Sequence, residues 1–530
     1  METLAQLLEE TARRHGSRVA LQMRGSQGVT ERWTYDELYR YACAIAHYLR
    51  AQGLKKGDRL ILWGPNTLRW PAVFYGAMLA GVVVVPLDVK SSEEFLGKIE
   101  SRTAAMLIVS ARSVIASLTG QHAATLAFED LDTLLPPRDS VELGQLEHPA
   151  SGDPAELVFT SGTTGTPKGV VLTHGNILSD AQAATQILAP RPAFSFLSLL
   201  PLSHMFEQMA MLYATLGGSR VTYMETLQPA SIFQAIEQEG INIIPCVPQV
   251  LALFMQGIER EVKKRGKLRQ WELLHRVAHR LPFGLRHYLF PAVHKRLGGH
   301  FEFFICGGAH LDPALGQKWE DMGVRVVIAC GMTEASPAVT ANTYNQRDMH
   351  SVGRPIACNQ IKIAPDGEVL VRGANVFPGY WQDDAATREA FEDGWYKTGD
   401  LGSLDAAGRL RLKGRKKNMI VLSNGFNVYP EDVEQVLLQS PALTDAVVVG
   451  LEGEGSEVDV HAILLTKEPE AAEAAVKAAN RKLAPHQRIK DYTVWPDEDF
   501  PRTHTLKAKR QEMVPRLLRL RAGQELSGRS

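Results

Sequence analysis

Ten residues, Thr160-Ser161-Gly162-Thr163-Thr164-Gly165-Thr166-Pro167-Lys168-Gly169, concentrate groups that can do chemistry. They carry four hydroxyls ahead of the second glycine, three glycines, one proline and one cation. Apolar Leu157-Val158-Phe159 precedes them and Val170-Val171-Leu172 follows, the order strand, polar loop, strand. Glycines let a backbone turn sharply and approach a ligand closely, and exposed N–H groups with hydroxyls can wrap an anion. On the residues alone, a plain Gly/Thr hairpin and a phosphate cradle both stand. The P-loop form of cradle is excluded by spelling: it requires Gly before the lysine and Ser or Thr after it, where this chain has Pro167 and Gly169.

Other reactive side chains lie at the ends of apolar runs. Phe196 to Pro201 has the composition of a buried strand and leads into Leu202-Ser203-His204-Met205-Phe206-Glu207. That puts His204 where α/β sheets hold ligands, although a histidine there more often serves structure. Phe301 to Cys306 runs into Gly307-Gly308-Ala309, and Val324 to Ala329 into Cys330-Gly331-Met332-Thr333-Glu334. Glu334 is either a loop glutamate or an oxygen ligand for magnesium, a hard cation that also takes substrate phosphates. Asp400, in Trp395-Tyr396-Lys397-Thr398-Gly399-Asp400, is a turn former or a chelator of two ribose hydroxyls. Lys507 sits in a basic tail, where a lysine is ordinarily a solvated charge.

The elements that must position these groups alternate. Tyr35, Leu38, Tyr39, Ala42, Ile45, Ala46 and Leu49 recur at helical spacing, Asp58 to Trp63 and Val82 to Val85 read as strands, and a helix is expected over Trp70 to Leu79. Met106 to Val109, Thr125 to Phe128 and Ile241 to Val247 continue the pattern, which predicts parallel, doubly wound α/β sheets. Gly367 to Gly373 and Arg409 to Leu412 alternate like exposed antiparallel strands, a β-subdomain. After Gly414-Arg415-Lys416-Lys417-Asn418 the style changes to a compact α/β unit with a helix start at Pro430-Glu431-Asp432. The expected domains are 1–414 and 415–530.

Bulk properties narrow the partners. Across 530 residues, 58 Lys and Arg nearly equal 59 Asp and Glu, so no global field draws the chain to nucleic acid. The five cysteines are scattered without a CxxC pair, which argues against a disulfide framework or zinc cluster and fits a reducing compartment. Met1 to Leu21 suits a surface helix, and the longest apolar runs are far too short to span a bilayer, so a cytoplasmic protein is expected. One segment departs from this balance: residues 257–300 carry eleven Lys and Arg against three Glu, interleaved with Trp271, Leu273, Leu285, Tyr288 and Phe290. Either this is a solvated basic helix pair with its apolar face in the core, the reading charge runs favour, or it lies peripherally on an anionic inner membrane surface.

Taken in order, TSGTTGTPKG at Thr160, GMTE at Gly331, YKTGD at Tyr396, GRKKNMI at Gly414, NGFNVYPEDVE at Asn424 and PRTHTLK at Pro501 resemble the adenylate-forming (AMP-binding) superfamily over nearly the whole chain. The resemblance implies a large N-terminal domain and a small C-terminal lid that rotates about a hinge at Lys417. It implies ATP, Mg2+ and CoA as the molecules handled. Thr160 and Glu334 would hold the metal, and Thr160, Ser161, Gly162, Thr163, Thr164, Gly165 and Lys168 would embrace the β- and γ-phosphates. Gly308, Ala309, Cys330, Gly331, Met332 and Thr333 would line the adenine and α-phosphate site, and Asp400 and Arg415 would take the ribose. Lys507 would be the catalytic lysine, His204 would stand between carboxylate and thiol, and Gly425 would let a pantetheine arm pass. Two residues depart from the family pattern: Cys330 replaces an aromatic that stacks on adenine, and Leu506 replaces the glycine common before the lysine.

Leu200 to Glu207, the basic segment and Leu506-Lys507 look most like bacterial long-chain fatty acid–CoA ligases, which implies a fatty acid as the acid substrate. A fatty acyl-AMP ligase or acyl-carrier-protein synthetase, with a carrier protein in place of CoA, would show an insertion between Leu401 and Asn427, and none is visible. A non-catalytic acyl-binding relative would lack Lys507, Glu334 or Asp400, and a luciferase-like oxidase would share only the first step.

Overall fold

The structure is a computed structural model that describes residues 1–134, 149–160, 167–187, 193–422, 426–452, 458–502 and 508–521. Of the motif residues, Ser161 to Thr166, Asn424, Gly425 and Thr503 to Lys507 lie outside the described residues.

Tertiary contacts divide the chain into two units, Met1–Ile361 with Val371–Tyr396, and Lys362–Leu370 with Lys397–Ser530. In the first, a six-stranded sheet runs in the order Ala124–Ala127, Leu107–Ser110, Arg59–Trp63, Val83–Leu87, Pro154–Thr160, Lys168–Thr173. Its first five strands pair in parallel, and the last closes the edge as an antiparallel hairpin. A nine-stranded sheet has at its centre the parallel strands Arg325–Gly331, Phe303–Cys306, Ile243–Cys246, Ser195–Leu197 and Arg220–Met224. Parallel strands need crossovers, and the helices that supply them make one core with both sheets. Within that core lie Ala42, Ile45 and Ala46 of Tyr35–Ala51, and Trp70, Phe74 and Met78 of Arg69–Ala80. Thr34 starts the first of these helices with a reciprocal capping box to Glu37, which satisfies two N–H groups at once.

The doubly wound α/β expectation holds, with local corrections. The N-terminal helix stops at His15, and Val19–Gly25 is a strand of the nine-stranded sheet. Leu4, Leu7 and Leu8 of that helix are fully buried, so it is a core helix with one wet face. Strand Glu368–Gly373, expected to be exposed, buries its first four residues.

In the second unit, strands Asp445–Glu452 and Val458–Leu465 pair antiparallel, and Asp491–Val494 adds in parallel. Helices Pro430–Leu437 and Ala472–Asn480 bury Val433, Leu437, Ala475 and Val476 in a core shared with this sheet. No helix among the described residues is long and apolar enough to cross a membrane.

The basic segment folds as helices Pro248–Lys264, Leu268–His279, Phe283–Arg286 and Pro291–Arg296. Trp271, Ala278, Phe290 and Val293 turn into the core, as a solvated helix pair requires. Leu273, Leu285 and Tyr288 stay 54%, 50% and 70% exposed, which such a pair does not require.

Candidate active site

In the first unit the site is assembled at the carboxyl ends of the central parallel strands. Cys246 pairs with Cys306 and Cys306 with Ile328, so two chains leave the sheet side by side, next to a third strand that runs on to Gly331. The Gly307 N–H donates to the Cys246 carbonyl at 3.1 Å, tying two of the exits together. Gly308 follows with φ +79°, a left-handed backbone that glycine adopts without penalty. A side chain on Gly307 would press on the Ala329 carbonyl at 3.1 Å and the Phe206 ring at 3.5 Å. Phe206 lies two residues beyond His204, so the start of helix Met205–Leu216 reaches this edge of the sheet.

The Gly331 turn is pinned from several sides. A Cβ on Gly331 would lie 2.0 Å from the Pro337 carbonyl oxygen, the atom that accepts the Met332 N–H at 2.7 Å. Behind the turn, Asn375 donates to the carbonyls of Ala335 at 2.7 Å and Ala338 at 2.8 Å, and to the Asp180 carboxyl at 2.8 Å. The Ser336 hydroxyl returns a bond to the Asn375 carbonyl at 2.8 Å. Asp180 is fully buried and burial drives its pKa well upward. Met332, Thr333 and Glu334 are left half-buried at the rim.

Glu334 meets the hairpin that bounds the Thr/Gly loop. Thr160 and Lys168 are cross-strand partners at its open end, and the turn Thr333–Ala335 packs against strand Lys168–Thr173. The Tyr380 hydroxyl donates to Glu334 Oε1 at 3.1 Å, while Lys168 Nζ lies 5.0 Å from the centre of the Tyr380 ring. One side chain thus touches both the carboxylate and the cation that the sequence singles out.

His204 caps helix Met205–Leu216 from an extended backbone, its Nε2 3.8 Å from Asp88 Oδ2. Asn66 braces its loop, donating to the Leu200 carbonyl at 2.7 Å and accepting the Leu202 N–H at 2.9 Å. Glu207, one turn on, is fully buried; burial pushes its pKa up to about 8 against hydrogen bonds from Ser198 and the Leu200 N–H. Glu156 on strand Pro154–Thr160 is fully buried too, and burial raises its pKa to about 8.

In the second unit Asp400 and Arg415 are cross-strand partners, with Arg415 Nε 2.7 Å from Asp400 Oδ1. A second guanidinium nitrogen of Arg415 donates to the Thr398 carbonyl at 3.0 Å, and the Thr398 hydroxyl accepts the Asp400 N–H at 3.0 Å. Lys417 sits in the turn Lys416–Asn418; burial, then Arg415 and Arg510, depress its pKa. Its neighbour Lys416, exposed like Lys417, is bonded to Asp366 at 2.6 Å and Glu368 at 2.8 Å.

The sequence reading missed Tyr380, Asn375 and Asp180. Gly379-Tyr380-Trp381 looks like an ordinary turn, and the two amide and carboxyl positions carry no pattern at all. Only the doubled aromatic beside a glycine offered a signal.

Glycine-rich exits at the carboxyl edge of a doubly wound sheet, beside a hairpin that holds a hydroxyl, a cation and a carboxylate together, are the arrangement of a nucleotide-binding α/β protein. Residues 8–381 match the AMP-binding enzyme family and residues 417–517 the AMP-binding enzyme C-terminal domain, so the chain belongs to the AMP-binding enzymes. It is 29% identical over 534 residues to the long-chain-fatty-acid–CoA ligase FadD15 of Mycobacterium bovis, covering 88% of each chain. It is 27% identical over 531 residues to the 2-succinylbenzoate–CoA ligase of Bacillus cytotoxicus, covering 97% of this chain and 98% of that one. Among solved structures it is similar to the o-succinylbenzoate CoA synthetase MenE of Bacillus subtilis in complex with its acyl-adenylate intermediate, with a TM-score of 0.79, 24% identity, and coverage of 96% and 97%. The same enzyme bound to ATP and a magnesium ion matches with a TM-score of 0.77 at 24% identity, covering 96% of this chain and 99% of that one.

Proposed function

We propose that this AMP-binding enzyme is an acid–CoA ligase: it joins a carboxylic acid to the α-phosphate of ATP, releases pyrophosphate, and passes the acyl group to CoA with release of AMP. The observation that carries the reading is the convergence of Glu334, Lys168 and Thr160 beside the Gly308 and Gly331 turns. A carboxylate and a triphosphate share a charge sign, so catalysis must cancel repulsion and stabilise charge on the departing pyrophosphate. Magnesium takes one or two carboxylates plus phosphate oxygens and water, and a lone half-buried Glu334 fits that demand better than a protein cage would. Among the described residues no group of three or more His, Cys, Asp or Glu side chains could hold a metal ion without phosphate. When bound with ATP, the ion supplies neutralising charge. Glu334 and Thr160 would hold it, Lys168 would face the terminal phosphates, Asp400 and Arg415 the ribose, and Lys507 the oxygens shared by carboxylate and α-phosphate. His204, held near Asp88, would stand at the acyl carbonyl.

For the acid, the reading is a fatty acid of long chain, supported by Leu200 to Glu207, the basic segment, Leu506-Lys507 and the resemblance to long-chain ligases. A second reading, a succinylbenzoate-type aromatic acid, is favoured by the nearly end-to-end match to 2-succinylbenzoate–CoA ligase. ATP-dependent thioester formation across acids of graded chain length and 2-succinylbenzoate, run with CoA, with acyl carrier protein and with neither, decides acid and acceptor together. Turnover of 2-succinylbenzoate alone would end the fatty-acid reading.

The basic segment supports contact with an anionic membrane surface. Arg269, Leu273, Arg276 and Val277 of helix Leu268–His279, with its cap Arg280, are all exposed and follow at spacings that share one helix face. Cations interleaved with leucine and valine suit a lipid surface, where charge attracts and apolar groups enter the interface. Flotation with phosphatidylcholine vesicles, with and without phosphatidylglycerol, tests this; no binding to the anionic vesicles at low salt would refute it.

A further inference from the structure

Two groups that the proposed function assigns to metal and phosphate, Glu334 and Lys168, meet on one aromatic side chain to which that function gives no part. Tyr380 is fixed to the hairpin by its backbone: the Trp381 N–H donates to the Gly169 carbonyl at 2.7 Å, the Val171 N–H to the Gly379 carbonyl at 3.2 Å, and Tyr380 itself bridges Val170. Its own N–H donates to the Thr387 hydroxyl at 2.9 Å. The ring stands edge-on to Phe377, with centroids 4.9 Å apart, and the N–H of Phe377 donates to the Glu334 carbonyl at 2.9 Å. Strand, aromatic and carboxylate are therefore one rigid assembly.

We propose that Tyr380 is a positioning residue for the metal-binding carboxylate, its hydroxyl fixing the Glu334 side chain while its ring seats the Lys168 ammonium. The proposal rests on the reading of Glu334 as a magnesium ligand. An ionised carboxylate only accepts, which sets the direction of the bond. A free glutamate side chain must give up rotamer freedom to bind a cation; one already held through Oε1 has given it up beforehand. The face of the ring beneath Lys168 attracts a cation without neutralising it, so the ammonium is placed while its charge remains available to phosphate.

The experiment titrates Mn2+, followed by the electron paramagnetic resonance of the free ion, into full-length protein holding a non-hydrolysable ATP analogue. Wild type is compared with Tyr380→Phe, Tyr380→Leu and Glu334→Gln. Removing one oxygen leaves the ring packed on Phe377, so Tyr380→Phe keeps the native circular-dichroism spectrum. Partners behind a metal ligand typically govern tenfold to a hundredfold in affinity, so Tyr380→Phe is expected to weaken Mn2+ by about that factor. Its affinity for the analogue in EDTA should be unchanged, because the ring under Lys168 remains. Tyr380→Leu should weaken both. Mn2+ binding that falls in Glu334→Gln but not in Tyr380→Phe overturns the role of Tyr380 and leaves the metal reading standing. Wild-type binding by Glu334→Gln overturns the metal reading and this inference with it.

Discussion

Gly331→Ala is the sharpest test of how the turn at the strand end is built. The added methyl would lie 2.0 Å from the Pro337 oxygen, 2.8 Å from its carbon and 3.1 Å from the Ala338 Cα, all backbone atoms that no rotamer change can move aside. Relief requires the turn to open, which breaks the 2.7 Å bond from the Met332 N–H to that same oxygen. Overpacking of this kind costs about 1–3 kcal/mol, and a lost partner for a half-buried backbone group about another 1 kcal/mol. The total, roughly 2–4 kcal/mol, is concentrated on the segment that carries Thr333 and Glu334. Gly308→Ala is the matched control: the neighbouring Val247 methyl is at an ordinary 3.5 Å, and the cost comes from the left-handed backbone at φ +79°, about 1–2 kcal/mol. The assay is urea unfolding for stability together with ATP–pyrophosphate exchange for the first half-reaction. Gly331→Ala should lose stability and most of the exchange rate, and Gly308→Ala less of both. Wild-type stability and exchange in Gly331→Ala would refute the steric account of the turn.

Lys507→Ala should abolish acyl-adenylate formation far more than thioester formation from supplied acyl-adenylate, measured by separate half-reaction assays; equal loss in both would refute its assignment. Glu207 carries a pKa raised to about 8 by burial, so its folded state holds the proton more tightly than the unfolded chain. Its contribution to stability is therefore fully present below the ordinary carboxylate range, near pH 4.5, and lost as pH rises through about 8. Glu207→Gln should flatten the fall in stability between those limits, read from urea midpoints across pH, and an unchanged slope would dismiss the buried carboxyl as its source. Cys330→Tyr should tighten ATP binding if adenine stacks there, by about 1–3 kcal/mol on the scale of base–aromatic contacts. Nucleotide competition measures it, and equal affinity would show that stacking at this position is not required.

Alternation of apolar strands with helical spacing predicted the doubly wound sheets because each element buries a face whose period is written in local order. The helix over Trp70 to Leu79 and the strand over Asp58 to Trp63 came out within one residue at each end for that reason. Val19–Gly25 escaped because its pairing partners, Arg220–Met224 on one side and Gly28–Thr34 on the other, include a strand about 200 residues away, and Glu2, Glu9 and Glu10 disguised a core helix as a surface one. The basic segment was half legible: charge marked its wet face, but only packing separated buried Trp271 from exposed Leu273.

By itself the sequence determined the order and chemistry of the motifs. Hydroxyls, glycines and charges in that succession specify a polar hairpin and glycine turns at strand ends, because backbone freedom and charge are properties of residue types. Tertiary structure alone decided what holds those groups still. Tyr380 reaches Glu334 across 46 positions and Asn375 reaches Asp180 across 195, through single hydrogen bonds that leave no local pattern. A hydrogen bond depends on where two atoms end up within a few tenths of an ångström, and that is settled by the packing of the whole unit rather than by the residues on either side.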